Sequence, residues 1–215
     1  MADHDITHLR QTYDGGTLDE GDIGDDPIAA FGLWMKSALE AEVPEPHAAA
    51  LATADATGRP SSRIVLCRGA DESGFAFYTN YDGRKAEDMA ANPHAALCFF
   101  WQPLERQVRV EGPVERLPPE VSDAYFAGRP RESQIGAWTS PQSRVLEDRA
   151  HLERLYDETR ARFEGAGEIP RPENWGGFRI APERIEFWQG RPHRLHDRLL
   201  FERDGDGWKR VRLAP

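Results

Sequence analysis

The stretch PHRLHDRL, residues 192–199, gathers two histidines, two arginines and an aspartate. Such side chains serve metal ligation, acid–base or anion chemistry, or plain solvation of a charged strand. On a β-strand successive side chains alternate between faces. Read so, His193 and His196 fall on opposite faces, and no Cys/Glu array nearby completes a tetrahedral metal site. The same alternation gathers Arg194, His196 and Arg198 on one face and Leu195, Asp197 and Leu199 on the other. In an acidic chain that first face is a plausible wall of an anion or cofactor site.

Other stretches carry related chemistry. In RIVLCR (63–68), Arg63 and Arg68 are five apart, so on a strand they point to opposite faces. They are two separate anion contacts, or two strand-end arginines reaching water. In TNYDGRKAEDM (79–89), Arg84 and Lys85 open a short helix after a glycine. The helix dipole disfavours cations there, whereas an anion would receive backbone N–H groups and two cationic side chains. Phosphate is the natural occupant, and a solvated basic pair the plain alternative. YFAGRPRESQIGAW (125–138) carries Tyr125, Arg129, Arg131 and Ser133, good phosphate donors. A surface helix–turn–helix with incidental donors fits the same residues. In SPQSR (140–144), Ser140 or Ser143 could cap the helix that follows. Trp188 in EFWQG lies near a strand end, as core or as a platform for a flat ring.

These residues need a scaffold to bring them together. Asp26-Pro27 reads as a cap and first residue of a helix reaching about Glu42. Strands follow at 48–54, 61–69 and 75–80, separated by short Gly/Asp turns. After a short helix at 83–92, AALCFFW (95–101) reads as a strand buried on both faces, and 105–117 alternates again. Short helices are expected at 119–128 and 131–138 and a longer one at 144–164. Strands at 178–190, 193–203 and 207–213 close the chain, the last two joined by a DGDG hairpin turn. This order lacks regular βαβ alternation, GxGxxG and Walker A motifs. It predicts a mainly β fold with peripheral helices, an antiparallel barrel of about six to eight strands. Residues 1–26, acidic and Gly/Asp-rich, read as a mobile arm, and 27–215 as one domain.

Composition narrows the function classes. A net charge of −10 over 215 residues disfavours nucleic-acid binding, which needs clustered positive charge. The apolar runs are too short to span a bilayer, and the first residues show no secretory signal pattern. Cys67 and Cys98 lack metal-site spacing, so two free thiols in a reducing cytoplasm are expected. Of the 27 basic residues only Lys36, Lys85 and Lys209 are lysines, so an arginine where lysine is usual signals compositional drift.

Taken in order, RIVLCR, FYTNYDGRKA, LERQVRVEG, YFAGRPRESQIGAW, PQS, WGGFRIAPERIEFWQG and HRLHDRLLFER…GWKRVRLAP resemble the pyridoxine/pyridoxamine 5'-phosphate oxidase family over roughly residues 8–215. The resemblance implies an FMN-binding split barrel, a Greek-key-like antiparallel fold, and a homodimer with FMN at its interface. Carried over by motif, Arg63, Ile64, Val65, Leu66, Tyr78, Thr79, Arg84, Lys85, Gln107, Gln142, Ser143, Trp188 and Arg198 would contact FMN. Arg68, Tyr125, Arg129 and Ser133 would meet the substrate phosphate, with Arg194 and His196 flanking the reacting carbon as the catalytic pair. Arg10 and Tyr13 in HLRQTYD match a family segment that closes over substrate.

The implied reaction is oxidation of pyridoxamine or pyridoxine 5'-phosphate to pyridoxal 5'-phosphate, by hydride transfer from C4' to FMN. Molecular oxygen is the acceptor and hydrogen peroxide the by-product. No metal is implied. Arg68 departs from the family's usual lysine, Glu45 from a frequent aspartate, and Cys67 from an aliphatic residue. The rival readings are another split-barrel flavoprotein, such as a flavin reductase or a phenazine-pathway oxidase, and a non-catalytic FMN or pyridoxal-phosphate carrier.

Overall fold

A computed structural model describes residues 6–9 and 12–215. Nine strands form one antiparallel sheet in which β1 (Ala48–Ala54), β2 (Pro60–Asp71), β3 (Gly74–Asn80), β4 (His94–Trp101), β5 (Arg106–Arg116) and β6 (Trp175–Ile180) close on themselves. The order β4-β1-β2-β3-β6-β5 returns through a β4–β5 pairing, which makes a six-stranded barrel. β7 (Arg184–Gln189), β8 (Asp197–Asp204) and β9 (Gly207–Arg212) extend the sheet beyond it, one strand more than expected. The helices are α1 (Pro27–Glu40), α2 (Arg84–Ala91), α3 (Pro119–Ala127), α4 (Arg131–Thr139) and α5 (Arg149–Arg162).

Local chemistry sets the boundaries. Asp26 caps α1 by accepting from the N–H groups of Ile28 (2.8 Å) and Ala29 (3.2 Å). That helix stops at Glu40, short of the expected Glu42, whose φ is +51°. α5 starts at Arg149 rather than 144 because Asp148 is its cap, accepting from His151 N at 2.6 Å. β4 alternates: Ala95, Leu97, Phe99 and Trp101 are buried while Phe100 is 54% exposed, so only one face is core. The expected strand 178–190 is two strands, parted at 181–183. The DGDG turn forms as expected, pairing Asp204 with Gly207 and placing Gly205 at φ +58°.

The chain divides into two compact units. One comprises Met1–Pro46, Cys98–Val110 and Arg184–Pro215. Its core is aromatic: Phe31 meets Phe99 at 5.0 Å between centroids, Trp34 meets Phe187 at 5.1 Å, and Phe187 meets Phe201 at 5.8 Å. Part of the arm expected to be mobile is tied into this unit. Leu18 and Ile23 are buried, and Asp197 Oδ2 accepts from Leu18 N at 3.1 Å. Arg212 donates to Leu18 O and pairs with Glu20. The other unit comprises His47–Leu97 and Glu111–Glu183. It holds the buried rings Phe75, Phe77 and Phe178, and a second cluster of Phe126, Ile135, Phe163, Ile169 and Trp175.

Candidate active site

In the His47–Glu183 unit, cations converge where α2 begins. Lys85 Nζ donates to Gln142 Oε1 (2.6 Å) and Thr79 Oγ1 (3.0 Å), and Thr79 Oγ1 lies 3.1 Å from the same Gln142 oxygen. Ser143, at φ +69°, turns its hydroxyl to accept from Arg84 N at 3.2 Å. It therefore serves α2, and not the long helix for which a cap was expected. The helix start itself is Gly83, where a Cβ would lie 2.6 Å from Gln142 Oε1.

Arg63 completes this cluster. Its NH1 donates to Thr53 Oγ1 (2.7 Å) and Leu51 O (3.2 Å), its NH2 to Ser61, and it pairs with Asp88 at 3.6 Å. Asp88 is buried on α2 and accepts from Thr53 (2.6 Å) and Ser61 (2.8 Å) through one oxygen. Burial presses the Lys85 pKa down, and the Arg63 charge adds to it. Arg63 is also pressed down by burial, against the opposing pull of Asp88. Arg63 faces Asp88, whereas the Lys85 ammonium is held by two neutral oxygens, those of Gln142 and Thr79. Ile64, 68% exposed, Val65 and Leu66 run along β2 opposite β1.

A second cation lies in the same unit. Arg68 sits at an irregularity of β2, where the pairing jumps from Cys67↔Phe77 to Gly69↔Ala76. Such a bulge re-aims a side chain. Tyr125 stacks on Tyr78 at 3.7 Å, and Trp175 lies parallel to Tyr78 at 5.7 Å. The Arg129 guanidinium lies 4.5 Å from the Trp175 ring centre. Its NH1 is buried with no hydrogen-bond partner among the described residues. Burial lowers the Arg129 pKa, and the charge of Arg68 lowers it further. Gln134 Nε2 donates to Phe126 O at 2.9 Å and fastens the turn before α4, which carries Ser133. Arg131 is structural: NH2 donates to Phe163 O at 2.6 Å. Tyr78, expected at the cofactor, belongs to this aromatic stack.

The other unit holds a cavity of about 550 Å³ lined by Tyr13, Trp188, Arg191, His193, Arg194 and His196, with Leu9 and Thr12. Here one expectation fails. PHRLHDRL is not one strand: residues 192–194 form a 3-10 turn, and β8 begins only at Asp197. His193 and Arg194 have φ of +59° and +63°, which no strand permits. Pro192 rules out continuous strand pairing there, so Arg194, His196 and Arg198 do not share a strand face. Arg194 and His196 still line one cavity, brought there by the turn. His196 packs 4.6 Å from Trp188 and 5.6 Å from Tyr13 between ring centres, and its Nδ1 accepts from Arg191 N at 3.1 Å. That bond assigns the Nε2–H tautomer of a neutral ring. Burial lowers the His196 pKa, with Arg194 adding to the effect.

Arg198 is engaged elsewhere. It grips Glu186 with Nε at 2.8 Å and NH2 at 3.0 Å, and its NH1 donates to Ala214 O at 2.9 Å. Gln107 is half-buried on β5 of this unit. Arg10 lies outside the described residues. Asp88, Glu186, Arg191 and Glu105 were not foreseen. Asp88, Glu186 and Glu105 act through partners 12 or more residues away, which no local spacing marks, and Arg191 acts on His196 through its backbone N–H, which its residue type does not mark. Among the described residues no group of three or more His, Cys, Asp or Glu side chains could hold a metal ion. Also among them, no helix is long and apolar enough to cross a membrane.

The closed barrel with outer helices is the fold of the FMN-binding split barrels. A pyridoxamine 5'-phosphate oxidase-related, FMN-binding protein from Nostoc punctiforme superposes with a TM-score of 0.66 over 85% of this chain and 96% of its own, at 17% identity. The chain belongs to the pyridoxine/pyridoxamine 5'-phosphate oxidase family. The family profile named pyridoxamine 5'-phosphate oxidase matches residues 35–163, and that of the pyridoxine 5'-phosphate oxidase C-terminal dimerisation region matches 175–215. Proteins named pyridoxine/pyridoxamine 5'-phosphate oxidase from Rubrobacter xylanophilus and Burkholderia mallei are 56% and 55% identical. Those alignments cover 100% and 98% of this chain, and 98% and 99% of the relatives. The structure of PhzG from Burkholderia lata, in complex with tetrahydrophenazine-1-carboxylic acid, has a TM-score of 0.85 at 33% identity, covering 93% of this chain and 100% of that one.

Proposed function

We propose that the protein oxidises pyridoxamine and pyridoxine 5'-phosphates to pyridoxal 5'-phosphate, with FMN as cofactor and molecular oxygen as electron acceptor. The observation that carries this reading is a pair of cation sites in one unit. One gathers Arg63, Arg84 and Lys85; the other holds Arg129, with a buried, unpartnered NH1, under the influence of Arg68. Two cation sites suit two monophosphates, one on the cofactor and one on the substrate. Lys85, Arg63, Arg84 and the Gln142–Ser143 turn would hold the cofactor phosphate. Arg68, Tyr125, Arg129 and Ser133 would hold that of the substrate.

When bound, FMN supplies the two-electron chemistry, accepting hydride from C4' of the substrate and returning electrons to oxygen as hydrogen peroxide. The chain's own residues bind and orient. Arg129 and Arg68 neutralise the substrate phosphate. Arg194 and His196 flank the pyridine ring, and His196, neutral and carrying its proton on Nε2, offers a donor to a ring substituent. An arginine stays protonated, so Arg194 contributes charge and orientation. The C-terminal dimerisation region supports a homodimer, at whose interface the cofactor would lie, and the location would be cytoplasmic.

Anaerobic mixing of the FMN-loaded protein with pyridoxamine 5'-phosphate tests the reading. Loss of the oxidised-flavin absorbance, followed in air by stoichiometric aldehyde and peroxide, is the expected result. A flavin that stays oxidised overturns it and leaves a carrier. The likeness to PhzG favours one alternative, a tricyclic carboxylate as substrate. Bleaching by a dihydrophenazine carboxylate but not by the phosphate ester would establish that instead.

A further inference from the structure

We infer that Glu105 is a positioning residue that holds Tyr13 at the mouth of the Trp188–His196 cavity. The inference rests on the reading of that cavity as the substrate pocket. Glu105 follows the 3-10 turn Gln102–Leu104 and precedes β5. It is 7% exposed, and its backbone is left-handed at φ +52°, unusual for a residue with a side chain. Its carboxylate and its carbonyl reach in two directions. Oε2 accepts from Gly15 N at 2.7 Å, two residues beyond Tyr13. The Glu105 carbonyl accepts from Gly190 N at 2.8 Å and from Gln189 Nε2 at 3.3 Å, two residues and one residue beyond Trp188.

One residue therefore links the segment carrying Tyr13 to the strand end carrying Trp188. Packing agrees with the hydrogen bonds. A Cβ built on Gly190 would lie 2.9 Å from the Tyr13 ring and 3.0 Å from Glu105 Cβ. The tyrosine and the glutamate thus share the bare face of that glycine. Tyr13 is left edge-on, 5.8 Å from Trp188 and 5.6 Å from His196 between ring centres.

Other ties hold the segment farther along. Arg191 NH1 donates to Gly16 O at 3.0 Å, and Leu18 N donates to Asp197 Oδ2 at 3.1 Å. The Glu105 bond is nearer to Tyr13 in sequence than either. Removing the carboxylate frees the tyrosine while Leu18 stays anchored. Part of substrate affinity then reflects a ring already held in place, since ordering it on binding would weaken affinity.

The test compares Glu105→Ala, Glu105→Gln and Gly15→Ala in the FMN-loaded protein. Glutamine keeps an acceptor for Gly15 N, whereas a Cβ on Gly15 would lie 2.9 Å from Glu105 Oε2 and push the pair apart. Glu105→Ala and Gly15→Ala are expected to raise KM for pyridoxamine 5'-phosphate about tenfold, as expected for one lost hydrogen bond with its ordering. Their kcat should stay within about twofold, and Glu105→Gln should remain near wild type. In a Tyr13→Ala background the Glu105→Ala effect should vanish. An unchanged KM, a failure of glutamine to rescue, or an effect that persists without Tyr13 overturns the inference. Chymotryptic cleavage after Tyr13 gives a readout independent of turnover. It should accelerate in Glu105→Ala and not in Glu105→Gln, and equal rates also overturn the inference. If wild-type protein fails to oxidise the phosphate ester while the cleavage difference stands, the functional reading falls and the tether remains.

Discussion

Arg198 and Glu186 form a two-pronged ion pair between β8 and β7, Nε to Oε1 at 2.8 Å and NH2 to Oε2 at 3.0 Å. The Glu186 side chain is 8% exposed and that of Arg198 26%. Parallel bonds of this kind fix a guanidinium in plane. Arg109 reaches the same carboxylate at 3.4 Å. Glu186→Gln removes the charge that Arg198 grips and should cost about 2 kcal/mol in urea unfolding. A loss below about 0.5 kcal/mol, the range of an exposed pair, would show that Glu186 does not anchor Arg198.

Lys85 makes a prediction that separates charge from packing. Lys85→Met keeps most of the stem and removes the ammonium. FMN affinity should fall roughly 10- to 100-fold, the worth of one charge-assisted hydrogen bond. Riboflavin, which lacks the phosphate, should lose little. Fluorescence titration with both ligands checks this, and an equal loss for the two would place the phosphate elsewhere.

Gly83 tests the same corner through shape alone. Its φ of −79° and ψ of 152° suit any residue, so alanine adds no backbone strain. Its Cβ would meet Gln142 Oε1 at 2.6 Å, the atom that accepts from Lys85 and lies against Thr79. Gly83→Ala should therefore displace Gln142 and weaken FMN binding several-fold, by about 1 kcal/mol. Thermal stability without cofactor should change little. Unaltered FMN binding would show that Gln142 moves aside freely.

Arg129 has a buried, unpaired NH1 and a ring-stacked guanidinium. Arg129→Ala should lower kcat/KM for pyridoxamine 5'-phosphate about 100-fold, mainly through KM, as lost binding to an unreacting group does. Because it also removes a buried, unpartnered donor, apo stability should hold or rise slightly. Steady-state kinetics together with urea unfolding decide the matter. A large fall in kcat at unchanged KM would move Arg129 from the substrate phosphate to the reacting centre.

His196 gives a pH dependence whose sign is fixed. Burial, then Arg194, lowers its folded pKa below the ordinary imidazole value. Its contribution is present above the unfolded pKa of about 6.5 and is lost as pH falls through the lower folded value. The unfolding free energy of wild type relative to His196→Asn should therefore decline on acidification below about pH 6.5. A difference that stays level across that range contradicts the assignment of a neutral ring accepting from Arg191 N.

Much of the barrel was legible because its signals are local. Period-two alternation marked β5, the Asp26-Pro27 pair marked α1, and DGDG marked the β8–β9 turn. Arg84 and Lys85 at a helix start were legible for the same reason. What failed was register and reach. The continuous apolar letters of 95–101 concealed a one-sided strand, since alanine and cysteine sit as easily half-buried as buried. The polar letters of 192–196 concealed a left-handed turn, which alternation cannot express. Ser143 reads as a cap for the helix after it, yet its partner is Arg84, 59 residues earlier. Leu18 and Ile23 are lone apolar residues in an acidic run, and their burial depends on strands that close the chain.

The paired left-handed residues His193 and Arg194 bear on heat resistance and its engineering. Each non-glycine residue held there costs about 1 kcal/mol or more. His193→Gly would relax that conformation and raise the melting temperature. It would also loosen the turn that carries Arg194 into the cavity. A strained histidine retained at this position trades resilience for aim.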